Sequence, residues 1–522
     1  MDQHFARTEM LPPMAPPITE RGAVKWLREN LFSTPFNIAL TLVGLAAIVW
    51  LITASLPWWL NSVWTASSLT ECRQIVEASA GPGATGACWA MIREWWGAFL
   101  FGFYPPDQWW RPILAFGFLF AALAPVLFSG QKRNLTIVLA AVAAFLLVTL
   151  YLAAAPGLVF AAAILVVAAL LALVQVMPGK LIWVTLIYPA LCFWLLWGGP
   201  IWSPIVAMAG FGVLYAVFRL ASPFIGLAPA AGAGVVAAVL WWLYVDVPLV
   251  DFLSMLSMQA VDLSQVGLPS DVTQAVETLA TDIAAEIGLP AAQVYDVTRD
   301  PLALTPINSD QFGGFLLAIV IGVTGISFSL PIGILLALGR QSDMLIVKTL
   351  SVGFIEFIRG VPLITLLFTA SLLLQYFLPP GTNFDIILRV IILVTFFAAA
   401  YLAEVIRGGL AALPRGQYEA ADALGLDYWR AQRLIILPQA LKVSIPAIVS
   451  TFIGLFKDTT LVAFVGLMDP LKGVTQIVRA DINWKGIYWE PYIFVGVIFF
   501  LICFGMSRYS MYLERKLKTD HR

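Results

Sequence analysis

The stretch Tyr418-Glu419-Ala420-Ala421-Asp422-Ala423-Leu424-Gly425-Leu426-Asp427-Tyr428-Trp429-Arg430-Ala431-Gln432-Arg433-Leu434-Ile435-Ile436-Leu437-Pro438 is a polar interruption between two long apolar segments. Glu419, Ala420, Ala421 and Leu424 are good helix formers, and Gly425 can adopt the left-handed backbone that closes a helix. A second helical run follows, and Pro438 restrains the residue before it from continuing as helix. The pattern predicts a short, stiff elbow: helix, glycine corner, helix, proline stop. Since its flanks are apolar and long, it belongs to a helical bundle that lies in a membrane.

Composition supports that class. The 522 residues are 60% hydrophobic and 12% charged, with a mean hydropathy of +0.88, whereas soluble domains carry about 25% charged residues. The chain reads as an all-α polytopic membrane protein. A net charge of -1, with basic residues spread over loops and ends, gives no reason to expect nucleic-acid binding. The two histidines, His4 and His521, lie in terminal tails, so interior imidazole catalysis or metal ligation is not expected. No G-x-x-x-x-G-K-[ST] phosphate loop is present; the Gly179-Lys180 pair is followed by Leu181. The chain is read as no enzyme, and if ATP drives it, another chain hydrolyses the nucleotide.

Residues 1–36 are polar, carry Arg7, Arg21, Lys25 and Arg28, and read as a cytoplasmic tail. A first span runs from about Phe36 to Leu56. From 57 to 111 a mixed, tryptophan-rich segment reads as an external loop on the membrane surface. Cys72 and Cys88 fall there, where a disulfide can staple a loop of about 15 residues; two free thiols are the alternative. Cys192 and Cys503 sit in apolar runs and read as packing residues. Four apolar runs follow, 112–129, 135–154, 158–176 and 181–197, and two more, 204–219 and 222–245, meet near Arg219. The turns at Lys132-Arg133 and Lys180 are positive and the turn at Pro156 is not, as alternation across a bilayer requires. The extension 37–245 thus holds about seven helices.

Residues 246–310 carry ten acidic residues against a single basic one, Arg299, which places them outside. Val272, Val276, Leu279, Ile283 and Ile287 recur at helical spacing within this segment. Five further spans occupy 311–515: about Gly313 to Leu338, Leu350 to Leu378, Ile386 to Ile406, Ile445 to Leu467 and Tyr492 to Met506. The basic tail 516–522 completes about 12 transmembrane helices with both termini inside.

Glu419-Ala420-Ala421, then Gly425, then Ile435 and Leu437-Pro438 resemble, at every fixed position, the signature loop of bacterial ABC importer permeases. Glu356-Phe357-Ile358-Arg359-Gly360-Val361-Pro362-Leu363 and Ala400-Tyr401-Leu402-Ala403-Glu404-Val405-Ile406-Arg407-Gly408-Gly409 resemble the polar amino-acid uptake branch of that family. The likeness is strong over 311–515 and looser in the N-terminal half, which is similar to the extension of one subunit of general L-amino-acid importers. It implies a bacterial inner-membrane subunit that passes ATPase motion through the elbow into alternating access. It also implies partners: ATPase subunits that hold the ATP and Mg, a second permease chain, and a periplasmic amino-acid-binding protein. No cofactor is expected on this chain.

Lys457-Asp458-Thr459-Thr460 lies inside an expected span, where ionisable residues are costly and usually face a cavity or a partner. Asp458 suits the ammonium of an amino acid, and Lys457 or the hydroxyls suit its carboxylate; Thr365, Thr369 and Gln375 can face the same route. A Lys457/Asp458 pair that merely holds the helix is the alternative. Glu356 with Arg359, and Glu404 with Arg407, read as pairs three residues apart on one helical face, in a structural or gating role. An ion-coupled secondary transporter of amino acids is the rival reading, yet the two halves show no repeat and one elbow. A membrane-embedded enzyme would need converging interior His, Cys or carboxylate groups, which the chain lacks.

Overall fold

The computed structural model describes residues 22–128, 131–153, 155–257, 259–261, 297–299, 303–377 and 385–518. The helical periodicity expected at Val272 to Ile287, the loop at Pro379 to Asn383 and the tail before Gly22 lie outside them. Among the described residues eleven helices are long and apolar enough to cross a membrane, or twelve if one bent pair counts as a single span. The chain divides into two compact units, Met1–Trp96 with Thr475–Phe494, and Gly97–Val474 with Val495–Arg522.

In the first unit a short helix α1 (Gly22–Asn30) precedes α2 (Pro35–Leu60), whose N-terminus is capped by the Thr34 hydroxyl and which buries none of its residues. A helix so apolar on every face is suited to lipid. Next come α3 (Leu69–Ala80) and α4 (Ala90–Phe101). Cys72 and Cys88, both buried, form a disulfide across the intervening turn. Glu490, 5% exposed, accepts the Cys88 amide at 2.8 Å, the Trp95 indole donates to Asp481 at 3.0 Å and the Trp484 indole to Glu94 at 2.7 Å. Trp58, Trp59, Trp64 and Trp89 cluster with ring centres 5.0 to 6.1 Å apart. The loop between the two cysteines therefore keeps its shape through bonds at its ends. Replacing both by serine is expected to remove ~3 kcal/mol of loop-closure stabilisation. Protease cleavage between Gly81 and Gly86 should then become fast, and in the unmodified chain an impermeant maleimide should label neither thiol until reductant is added.

In the second unit α5 (Trp110–Leu127) packs against both α6 (Lys132–Leu152) and α8 (Ile182–Trp197), and α6 packs against α7 (Gly157–Val176). Next come α9 (Trp202–Ile225) and α10 (Leu227–Leu240), which continues through a π turn into α11 (Asp246–Ser257). The α9/α10 corner falls at Gly226, φ +81°, and not near Arg219 as expected, because a left-handed backbone requires glycine there. Gln259–Val261 and Val297–Arg299 form an antiparallel pair.

The C-terminal helices are α12 (Gly314–Gln341), α13 (Leu345–Gly360), α14 (Leu363–Phe377), α15 (Ile386–Ala411), α16 (Gly416–Ala423), α17 (Tyr428–Ala431), α18 (Leu437–Asp458), α19 (Pro470–Ala480) and α20 (Trp489–Lys518). One continuous core joins extension and C-terminal helices: Phe101, Tyr104, Leu195 and Leu196 pack in the same cluster as Phe312, Leu316, Val390 and Leu455. Its crossing point is made of glycines. Gly102 (φ +69°) lies across Gly313, and a Cβ on Gly314 (φ +57°) would stand 2.2 Å from the Phe99 carbonyl oxygen.

Two expectations about proline change. The span expected over Leu350 to Leu378 is broken: Leu345–Gly360 and Leu363–Thr369 meet at 101°. Pro362 has no N–H and pushes Val361 to an extended backbone, φ -108°, ψ 133°. Pro438, expected to stop a helix, does not. A π turn at Gln432–Ile436 widens the backbone just ahead of it, and the helix runs on from Tyr428 to Val465.

Candidate functional site

The elbow is anchored on one side and open on the other. Ala421, Ala431 and Ile436 are buried, while Glu419, Ala420 and Gly425 are exposed and Ile435 and Leu437 are half-buried. Gly425 turns the chain with φ +66°, its amide bonded to the Asp422 carbonyl at 2.9 Å and the Leu426 amide to that of Ala421 at 3.2 Å. Asp427 then caps α17, accepting the Arg430 amide at 3.0 Å. Gln439 ties the two arms together, donating to Gln417 and to the Ile435 carbonyl, each at 3.0 Å. Partial burial pushes the Tyr418 phenol above its ordinary range. The elbow presents large apolar side chains outward, Leu424 at 72% exposed, Trp429 at 55% and Leu434 at 64%, interspersed with the exposed Asp422, Asp427, Arg430 and Arg433.

Beside the elbow lies an ionic cluster that the sequence motifs describe incompletely. Arg407 donates from Nε and Nη2 to one oxygen of Glu404, Oε1, so this pair forms as expected. Glu356 does not reach Arg359; its partner is Arg340 of α12, at 2.8 Å. Arg359 lies 3.6 Å from Glu404 and rests over the Tyr401 ring. Arg340 also approaches Glu404, at 3.5 Å. Positions three apart on a helix differ by about 60° in direction, enough to send Glu356 and Arg359 to different neighbours. The outcome is a web across α12, α13 and α15 centred on Glu404. At these exposures each pair contributes on the order of 1 kcal/mol or less, so its value lies in fixing relative positions.

The expected path residues separate. α18 ends at Asp458, and a 3-10 turn, Thr459–Val465, carries the chain on. Lys457 is exposed and Asp458 and Thr460 are half-buried, whereas Thr459 is fully buried with its hydroxyl on the Phe456 carbonyl at 2.8 Å. Thr365 and Thr369 are exposed on α14, which packs against the 3-10 turn. The structure thus brings α14 to the 3-10 turn that begins at Thr459, directly after Lys457 and Asp458, and turns Thr459 into the packing. The side chain of Gln375 lies outside the description.

Sequence reasoning missed the groups that hold the far end of α15. Asp385 accepts the Ile387 and Leu388 amides at 2.8 and 3.1 Å, capping the helix, and also receives the Ser309 hydroxyl. Arg389 donates to the Ser371 carbonyl of α14 at 2.7 Å. The sequence signal was present: an aspartate one residue before an apolar helical run is an N-cap.

A family model described as "Binding-protein-dependent transport system inner membrane component" matches residues 329–519. The chain is 58% identical over 521 residues, all of both proteins, to the "Glutamate/glutamine/aspartate/asparagine transport system permease protein BztC" of Rhodobacter capsulatus. It is 32% identical over 510 residues, 97% of this chain and 96% of the relative, to the "Inner membrane amino-acid ABC transporter permease protein YhdY" of Escherichia coli K12. A solved amino acid ABC transporter is similar at 29% identity and a TM-score of 0.35, covering 38% of this chain and 91% of its own.

Proposed function

The chain belongs to the multi-pass inner-membrane permeases of amino-acid ABC transporters, and from that premise we propose that it carries acidic L-amino acids and their amides inward. Substrate reaches it from a periplasmic binding protein, a second and different permease chain completes the route, and two ATPase subunits hold the ATP and Mg. Both termini lie in the cytoplasm, which puts the elbow on the ATPase side and the first cysteine pair outside. ATPase closure pushes Glu419, Ala420 and the apolar face beside them, and the displacement enters the bundle through α15 and α18. The route then opens alternately to each side of the membrane.

The observation that carries this reading is the elbow itself: three buried anchors hold a solvent-facing surface of Glu419, Leu424 and Trp429. A surface held rigidly within the chain, with apolar and charged side chains facing outward, can transmit force to a docked partner. Along the route we assign the substrate ammonium to Asp458 and its carboxylate to Lys457, with Thr460, Thr365 and Thr369 beside them. Thr459 serves packing. The web around Glu404, with Arg340, Glu356, Arg359 and Arg407, holds the inner ends of three helices in register.

The test is uptake of labelled L-glutamate into proteoliposomes that contain the purified complex. Uptake is expected only with ATP inside the ATPase compartment and binding protein on the opposite side, and Asp458→Asn should lower it about tenfold or more, the scale of one lost charge-assisted hydrogen bond. Uptake driven by an ion gradient, without ATP, would mean a secondary transporter instead.

A further inference from the structure

The segment before α12 is clasped by the N-terminal extension residue by residue. Leu304 pairs with Gly199 through both backbone bonds, at 2.8 and 3.1 Å. Arg111, 2% exposed, donates to the Thr305 carbonyl at 2.8 Å and to its hydroxyl at 2.6 Å. The Ile307 amide donates to the Trp197 carbonyl at 2.9 Å. The Trp197 indole N–H then donates to the Ser309 hydroxyl at 2.9 Å, and the Ser309 hydroxyl donates in turn to Asp385. Trp197 cannot swing away, because its ring stacks on Phe312 at 4.6 Å and on Phe193 at 5.3 Å. The indole can only donate and the Ser309 hydroxyl has a single hydrogen, so the chain Trp197, Ser309, Asp385 runs in one direction.

Asp385 is the cap of α15, the helix that ends at Ala411, five residues before the elbow helix α16. We propose that the extension acts through Trp197 and Ser309 to hold the end of α15 remote from the elbow as a fixed pivot. Motion delivered at the elbow then tilts α15 about Asp385 and is not lost by sliding the whole helix. Trp197 and Ser309 are positioning residues: they touch no substrate and set what α15 can do. This inference rests on the coupling role proposed for the elbow. It also assigns a purpose to the seven-helix extension, whose residues are the ones that hold Ser309 in place.

The experiment counts ATP hydrolysed per L-glutamate taken up by the complete importer in proteoliposomes, for Trp197→Phe and Ser309→Ala. Trp197→Phe keeps an aromatic ring against Phe312 and deletes the N–H; Ser309→Ala deletes the relay hydroxyl. Each is expected to raise the ratio about threefold or more with the amount of assembled complex unchanged. The double variant should be no worse than either single, because both break one chain. An unchanged ratio in both, an additive double variant, or a failure of both to assemble would overturn the pivot; the last would mean that the link serves folding alone. Glu419→Arg, run alongside, separates the two ideas. If it leaves uptake intact, the coupling role falls and the pivot with it; if it abolishes uptake while the ratio in the other variants stays normal, only the pivot falls.

Discussion

Glu419→Arg is expected to leave a chain that folds, inserts and melts in detergent like the parent, yet retains no ATPase on purification and drives uptake ~100-fold more slowly. The two halves of that outcome have separate physical sources. Glu419 is exposed on α16 and its neighbour Ala421 is 1% exposed, so arginine at 419 meets solvent, and exposed substitutions usually cost within ~0.5 kcal/mol. In the proposed complex the same position is covered, and reversing a charge within a buried interface costs ~2–5 kcal/mol. Ala421→Arg provides the contrast. It would force a guanidinium into the anchored side of the elbow, and should lower the melting temperature as well as the ATPase yield. Co-purification, melting in detergent and uptake, measured on one preparation, distinguish a docking defect from a folding defect.

Gly314→Val should be the most damaging single change to the fold itself. A Cβ at 314 would lie 2.2 Å from the Phe99 carbonyl oxygen and 2.8 Å from its carbon, both backbone atoms that no rotamer change can clear. Valine must also hold φ +57°, a conformation costing ~1–2 kcal/mol for residues with a Cβ and more for branched ones. The clash and the strain together put the loss at ~3 kcal/mol or more, so folded, membrane-inserted protein should fall at least tenfold. Gly353→Val is the control: nothing stands within 4 Å of a Cβ there and no positive φ applies. Fluorescence size-exclusion of tagged chains extracted in mild detergent reads both. Equal yields would show that the Gly102, Gly313 and Gly314 crossing is not what joins extension to core.

The elbow was legible because its signals are local. Gly425 has no Cβ to clash in the left-handed corner, and Ala420 and Ala421 differ only in which side they face. The prolines show where local reading ends. Pro362 and Pro438 both follow helical runs, but one breaks its helix at 101° and the other sits in a continuous one, since a π turn has already moved the clashing carbonyl away. Nothing within a few residues of Pro438 announces that turn. The ionic web escaped for a related reason. The motif spacing pointed to Glu356 with Arg359, whereas Arg340, sixteen positions earlier, is the nearer charge once α12 and α13 pack. The glycine crossing joins residues two hundred positions apart, and no period in the sequence connects them. For the transport path, residue type suggested four adjacent candidates, and only the helix end decided that Thr459 turns inward.

The helix that begins at Tyr428 in the elbow and ends at Val465 is 38 residues long, about 57 Å at 1.5 Å per residue, nearly twice the ~30 Å of a bilayer core. Such a rod works as a lever arm. With its outer end held, a tilt of about 5° sweeps the elbow end through ~5 Å, whereas points near Asp458 move by an ångström or less. The gearing steps force up as it steps distance down. In the importer proposed above, a large, weak stroke at the elbow would arrive near Asp458 as a small, strong one, the kind of displacement needed to part packed side chains without opening a continuous leak.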